Sequence, residues 1–136
     1  MSTIKVSILG ADGYTCQIPR IKEGMKALGH ILTKDSPDLI YSNDPRGYEE
    51  ALKLKEKYPK AFLMFNFLDV PWHMPNIEKQ AELLVKHFLI KADVVTVISF
   101  KVQNDLSKFY NKKTYVIYNP MKDVSYDEKI KKNNTF

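Results

Sequence analysis

The chain has 136 residues, of which 44% are hydrophobic and 27% charged, the balance of one soluble globular domain. Its 21 basic and 16 acidic residues give a formal net charge of +5, and the lysines are spread along the chain. Dispersed charge without a binding motif argues against nucleic acid as a partner. The net positive charge is compatible with attraction to nucleotide phosphates or to anionic lipid headgroups.

Cysteine content and the distribution of apolar residues indicate the compartment. Cys16 is the single cysteine, which argues against a disulfide framework and a thiolate metal site. The sequence shows no signal segment after Met1 and no apolar run approaching the ~20 residues that span a bilayer. These features predict a cytoplasmic protein, with peripheral contact at a membrane left open.

The chain begins with a strand and a glycine-bearing loop. Residues 4–9 are rich in β-branched side chains and predict the first strand. Gly10, Asp12 and Gly13 follow, and glycines there can let a ligand approach the backbone closely. The spacing is G-x-x-G, which is not the dinucleotide fingerprint. An ordinary turn and a binding loop are both open.

A helix and two short strands come next. Apolar residues spaced at helical intervals follow Pro19, and Gly29 is suited to end that helix. His30 is interpreted as a turn residue rather than a catalyst. Residues 38–42 predict a third strand, and Asn-Asp-Pro after it favours a turn at Asp44 over a catalytic carboxylate.

The fourth strand is followed by an unusual loop. Residues 61–65 are almost wholly apolar, which predicts a central strand. Within the next ten residues stand Asn66, Asp69, Trp72 and His73, together with two prolines. Aromatic faces can stack on sugar rings, and the polar side chains can bond hydroxyls. The alternative is a structural lid in which Trp72 covers the core.

The last part of the chain repeats the strand–helix–strand order. A broad apolar stripe between residues 77 and 89 predicts a helix that covers the sheet. Residues 94–98 form an apolar strand that ends at Ser99, and residues 115–118 form another that ends at Asn119. A strand buried on both faces indicates a parallel sheet, whose ligands bind beyond the carboxyl ends of the strands.

These elements predict an α/β domain over residues 1–121, a Rossmann-like three-layer α/β/α sandwich with a parallel sheet. Residues 122–136 are polar and lysine-rich, which predicts a tail or an interdomain linker.

A family resemblance rests on the order of several motifs. Ala92-Asp93, an apolar strand ending in Ser99, a helix, and a strand ending in Tyr118-Asn119-Pro120 resemble the N-terminal domain of retaining glycosyltransferases of the GT-B fold, family 4 in particular. Gly29-His30 resembles that family's Gly-His turn. The resemblance implies a cleft that binds substrate through Gly10, Asp12, Gly13, Asn66, Trp72, Ser99 and Asn119. Where the family has a histidine at the tip of the fourth strand, this chain has Asn66 or Phe67, so His73 and Asp69 become the catalytic candidates.

The resemblance also implies what the reaction needs from elsewhere. The family's second Rossmann domain holds most of the nucleotide-sugar donor, with no metal cofactor, and this chain ends where that domain would begin. We therefore expect the acceptor-side half of a two-domain or two-subunit enzyme, acting on a sugar or lipid-linked acceptor. A non-enzymatic module that binds a sugar or nucleotide is the alternative. A phosphoacceptor receiver is disfavoured, because Leu9-Gly10 and Ile98-Ser99 replace its acidic pair and lysine.

Overall fold

The computed structural model describes residues 2–10, 17–68 and 77–118 as alternating strands and helices. The strands are β1 Lys5–Leu9, β2 Ile31–Leu32, β3 Leu39–Ser42, β4 Phe62–Phe67, β5 Val94–Val97 and β6 Tyr115–Val116. The helices are α1 Gln17–Ala27, α2 Pro45–Lys57, α3 Ile77–His87 and α4 Phe100–Leu106, with a short 3₁₀ turn at Leu89–Lys91.

The six strands form one parallel sheet in the order β2-β1-β3-β4-β5-β6. With helices on both faces, this is the Rossmann-like three-layer α/β/α fold that the sequence predicts. The order reverses at β1, because β2 lies on one side of it and all later strands lie on the other. Right-handed crossovers then direct α1 to one face of the sheet and α2, α3 and α4 to the opposite face.

The larger core lies between the sheet and helices α2 to α4. Alternate residues of the strands point into it, and Tyr48 of α2 packs on Phe65 of β4 with ring centroids 4.3 Å apart. The predicted apolar stripe of α3 is confirmed, since Val85 is buried in this core and His87 is exposed. The completely or almost completely buried members include Ile40, Leu63, Phe65, Leu89, Val95, Val97 and Leu106.

The opposite face carries a smaller cluster under α1. Val6 and Ile8 of β1 pack there with Ile18 of α1, and no other described helix contributes to this cluster. Gly29 has φ +87° and follows α1, as predicted for a residue that ends a helix in the left-handed conformation. Beyond α1, the same face of β4 to β6 is less covered, and Phe62 is 44% exposed.

Aspartates fix the amino edge of the sheet. Asp38 accepts a hydrogen bond from the backbone N–H of Lys5 at 2.8 Å, and Asp93 accepts one from Leu63 N–H at 2.7 Å. His30 lies at this edge too, and its Nδ1 accepts the N–H of Ile4 at 3.2 Å. The interpretation of His30 as a turn residue is therefore confirmed, and the Asp93 of the Ala-Asp motif holds neighbouring strands together.

The carboxyl ends of β4 and β6 differ by two residues from the sequence-based prediction, and that of β5 differs by one. β4 continues to Phe67, so Asn66 lies inside a strand rather than in the loop that follows it. β6 ends at Val116, two residues earlier than predicted. The first difference changes the surroundings of Asn66, because a strand residue points to one definite face of the sheet.

Candidate functional site

The carboxyl edge of the sheet collects the sequence-predicted site residues that the structure describes. Gly10 follows β1, Asn66 is the penultimate residue of β4, and Ser99 lies just after β5. The order of strands reverses at β1, and in open parallel sheets such a switch point is where a crevice forms and ligands bind. These three residues share an edge but face different surroundings.

Asp44 directly precedes helix α2 at the switch point and caps its start. Its Oδ1 accepts the N–H of Gly47 at 3.0 Å, and its carbonyl accepts the N–H of Tyr48 at 2.9 Å. Pro45 follows as the first helical residue, where its missing N–H costs nothing. The turn interpretation of Asp44 is confirmed, and its negative charge at the start of α2 disfavours a bound phosphate at that position.

Gly10 lies directly against this turn. It has φ +153°, and a Cβ built on it would lie 2.9 Å from Asp44 Oδ2 and 3.1 Å from Ile18. A larger residue would have to displace the side chains of Asp44 and Ile18, and it would be strained at this φ. Close packing therefore explains the glycine, and its predicted contact with a ligand stays a prediction.

Two neighbouring polar side chains at the end of β3 lack a hydrogen-bond partner among the described residues, the hydroxyl of Ser42 and the amide of Asn43. Asn43 is 2% exposed, and neither of its amide atoms has a partner. An unsatisfied buried polar group costs about 1–3 kcal/mol. Sequence reasoning treated Asn43 only as part of a turn, so its burial is a finding of the structure.

Asn66 is the centre of a small polar network on the α1 side of the sheet. It is 6% exposed, and its Oδ1 accepts the hydroxyl of Thr96 at 2.9 Å from the neighbouring strand. Its side chain also hydrogen-bonds the phenol oxygen of Tyr41. On the other side of the sheet, the Tyr48 hydroxyl donates to the Asn66 carbonyl at 2.6 Å. Asn66 is thus held in one orientation from three directions.

This network forms the floor of a cavity of about 370 Å³ beside α1. We call it the Asn66 cavity. Its walls are mainly apolar and aromatic, and none of its described lining residues is charged. Those residues are Ile21, Met25, Leu39, Tyr41, Met64, Asn66, Thr96, Ile117 and Tyr118. The volume falls in the range of roughly 300–1,000 Å³ that small-molecule sites occupy.

Burial fixes the protonation of the two tyrosines around Asn66. Desolvation raises the pKa of Tyr41 to about 12, partly offset by the hydrogen bond from Asn66. Desolvation, together with the nearby Tyr41 and Asp44, raises the pKa of Tyr48 still further. Both phenols, which would be neutral at physiological pH in any case, therefore keep their protons well above it. Since Asn66 donates to the Tyr41 oxygen, the Tyr41 proton can be given to another acceptor.

Ser99 has a structural partner. It has an extended backbone, and its hydroxyl accepts the N–H of Val102 at 3.2 Å as the cap of α4. Helix α4 packs in the larger core, on the face of the sheet opposite the Asn66 cavity. The structure therefore does not bring Ser99 and the Asn66 side chain to one surface.

The other predicted site residues lie outside the described residues. These are Asp12 and Gly13 of the first loop, Asp69, Trp72 and His73 of the loop after β4, and Asn119. Their substrate-binding and catalytic roles stay predictions. Within residues 2–10, 17–68 and 77–118, no three His, Cys, Asp or Glu side chains are grouped so that they could hold a metal ion.

Sequence reasoning missed most of the lining of the Asn66 cavity. Thr96 and Tyr41 were assigned to strands without a functional role, and Tyr118 was only the end of one. A signal was present: Asn66 and Thr96 are single polar residues in neighbouring apolar strands, and the structure pairs them in register.

Comparison with known proteins adds no relative. No model of a protein family, no curated protein and no solved structure matches the chain. Among the described helices, none combines the length and apolar character needed to cross a membrane.

Proposed function

We propose that the chain is the acceptor-side domain of a glycosyltransferase-like protein, and that the Asn66 cavity binds a sugar ring of the acceptor. The observation that carries the proposal is the composition of this cavity: uncharged, partly aromatic, with one fixed amide network at its floor. The sequence resemblance supplies the reaction class. A second domain or partner subunit would hold the nucleotide-sugar donor.

The lack of charge favours an acceptor over a donor. A nucleotide-sugar carries a diphosphate, and removing that charge from water without a cation is costly. The described lining offers no lysine or arginine to compensate it. A neutral sugar ring has no such requirement. This cavity therefore fits the acceptor, and leaving-group stabilisation would come from the other half of the enzyme.

The tyrosines and the amide match the two sides of a sugar ring. Tyr118 is 67% exposed at the rim, where its ring can cover the apolar C–H face of a sugar. Tyr41 is protonated at neutral pH, as an ordinary phenol also is, so it can donate to a hydroxyl or ring oxygen; burial raises its pKa further, to about 12. Asn66 and Thr96 hold Tyr41 in place for that contact.

The proposal can be tested by saturation-transfer NMR with methyl α-glucopyranoside and methyl α-mannopyranoside as probes. Tyr118→Ala should weaken glycoside binding about 2- to 13-fold, the loss expected for one aromatic contact of about 0.5–1.5 kcal/mol. Tyr115→Ala is the matched control, since Tyr115 is a nearby tyrosine, 46% exposed, that does not line the cavity.

UDP and GDP serve as the comparison probes. If a glycoside binds and Tyr118→Ala alone weakens it, the acceptor assignment is supported. If UDP or GDP binds, neither glycoside does, and Tyr118→Ala reduces the nucleotide signal, then the chain is a nucleotide-binding module instead. Equal losses in Tyr115→Ala and Tyr118→Ala would remove the Asn66 cavity from the proposal.

A further inference from the structure

The Asn66 cavity changes from polar to apolar along the direction of the strands. Asn66 and Thr96 pair in register on β4 and β5, and they place polar groups toward the carboxyl edge of the sheet. Two residues earlier on β4, Met64 lines the cavity from the same face, because alternate strand residues share a face. Ile21 and Met25 of α1 form the facing wall. Only one end of the cavity therefore offers hydrogen bonds.

The apolar end is incompletely packed. Leu63 and Phe65 of β4, which point to the opposite face of the sheet, are 0% exposed, whereas Met64 between them is only half-buried. Met25 of α1 is half-buried as well. A ligand that covers this apolar surface gains free energy because the surface leaves water. Methionine suits such a wall, since its flexible side chain adapts to the shape of what it contacts.

The apolar surface continues from the cavity toward the amino edge of the sheet. Phe62 lies on the same face of β4 as Met64, two residues before it, and pairs in register with Leu39 of the cavity wall. Phe62 is 44% exposed. Between Phe62 and Asn66 the strand extends roughly 13 Å, at about 3.3 Å per residue. An elongated ligand with one polar end and one apolar end matches this arrangement.

We propose that the acceptor is a glycoside with an apolar aglycone, a hydrocarbon chain that lies against Met25 and Met64 while the sugar ring binds at Asn66. The inference rests on the proposed function and narrows the acceptor from any sugar to an amphiphilic one. A second sugar ring in place of the chain would bring hydroxyls against Met25, Met64 and Leu39, whose side chains offer no hydrogen-bond donor. Hydroxyls buried without partners are costly, whereas a hydrocarbon chain needs none.

Isothermal titration of methyl and butyl α-glucopyranoside tests the chain directly. Complete burial of a methylene tightens binding about fourfold, and half-burial about twofold. Butyl α-glucopyranoside has three more methylenes than the methyl glycoside, so it should bind about 8-fold more tightly or better. Its heat-capacity change of binding should also be more negative. Methyl α-maltoside, in which a second sugar replaces the alkyl aglycone, should gain no affinity over methyl α-glucopyranoside.

Met25→Gln places a polar amide in the apolar wall with little change in side-chain length. It should lower the ratio of butyl to methyl affinity about 2- to 4-fold, the share of one methylene, and change the methyl affinity by less than about twofold. Leu83→Gln is the matched control, since Leu83 is an apolar residue of α3, 45% exposed, that does not line the cavity. The ratio within one variant cancels any loss of folded protein, which affects both ligands alike.

The outcomes separate this inference from the proposed function. Equal affinities of the two alkyl glucosides, both weakened by Tyr118→Ala, would overturn the apolar aglycone and leave the proposed function standing. Tighter binding of methyl α-maltoside than of butyl α-glucopyranoside would also overturn it, in favour of an oligosaccharide acceptor. So would a butyl advantage that Met25→Gln reduces no more than Leu83→Gln does. If neither alkyl glucoside binds, the proposed function and this inference fail together.

Discussion

Two glycines inside helices should respond oppositely to replacement by alanine. Gly47 is the third residue of α2, and a Cβ built there would lie 2.0 Å from Ser42 Oγ and 2.7 Å from the carbonyl oxygen of Leu9. Gly24 lies inside α1, and a Cβ there meets no atom within 4 Å. The two sites therefore differ in packing but not in secondary structure.

The expected magnitudes follow from that difference. Alanine stabilises a helix over glycine by about 0.5–1 kcal/mol, so Gly24→Ala should raise the free energy of unfolding by that amount. At Gly47 the gain is opposed by overpacking, which costs about 1–3 kcal/mol. The hydroxyl of Ser42 can rotate away, but the Leu9 carbonyl belongs to the sheet backbone. We expect a net loss of about 1–2 kcal/mol for Gly47→Ala.

Urea unfolding followed by circular dichroism measures both variants, with unchanged m values as the test that only stability changed. Gly47→Ala combined with Ser42→Ala should recover part of the loss, because one of the two close contacts is removed. If Gly47→Ala is as stabilising as Gly24→Ala, α2 does not approach β1 as closely as described. The packing account of the switch point, including that of Gly10, would then be wrong.

Three further predictions concern the polar groups of the sheet. Burial raises the folded pKa of Tyr41 to about 12 and that of Tyr48 still further, so above pH 10 the unfolded chain loses both phenol protons before the folded protein does. Tyr41 should account for about 3 kcal/mol of the stability lost between pH 10 and 12, and pH-dependent urea unfolding should show a loss smaller by about that amount in Tyr41→Phe. Asp93→Ala should lower the free energy of unfolding by about 1–2 kcal/mol by leaving Leu63 N–H unpaired, whereas Glu49→Ala should change it by less than about 0.5 kcal/mol in the same assay. Asn66→Ala should lower the free energy of unfolding by about 2 kcal/mol and weaken glycoside binding. An Asn66→Ala variant that binds glycosides with wild-type affinity would contradict the proposed role of Asn66 in the cavity.

The elements of the fold could be predicted from the sequence because their signals are local. The apolar strand around Val95, the glycine after α1 and the stripe of α3 each depend on near neighbours in the chain, and the structure confirms all three. The roles of His30 and Asp93 at the amino edge of the sheet were harder to predict from the sequence. Each accepts a backbone N–H from a residue far away in the sequence, Ile4 for His30 and Leu63 for Asp93, which no local pattern reveals.

The candidate site was predicted only in part, because a site depends on which face each side chain occupies. Asn66 was identified, but as a loop residue. In the structure β4 extends through Asn66 to Phe67, so the Asn66 side chain lies on the α1 face of the sheet. Its partners Tyr41 and Thr96 come from different strands and become neighbours only once the strand order is known. Ser99 was selected for its position at a strand end, where capping α4 explains it equally well.

The strand order also explains why two cavities beside α1 differ in character. Only β2 lies on the far side of β1, so only the first crossover carries its helix to the α1 face. That leaves an apolar surface beside α1, over the middle of the sheet, where the Asn66 cavity is lined by strand residues and is uncharged. At the outer side of α1 the sheet ends after two residues of β2, and Lys22 and Lys26 of the helix line a second cavity there. A neutral cavity and a lysine-lined cavity therefore arise on either side of one helix. Because Lys26 lines only the second one, Lys26→Gln should leave glycoside binding at the Asn66 cavity intact, whereas Tyr118→Ala should weaken it.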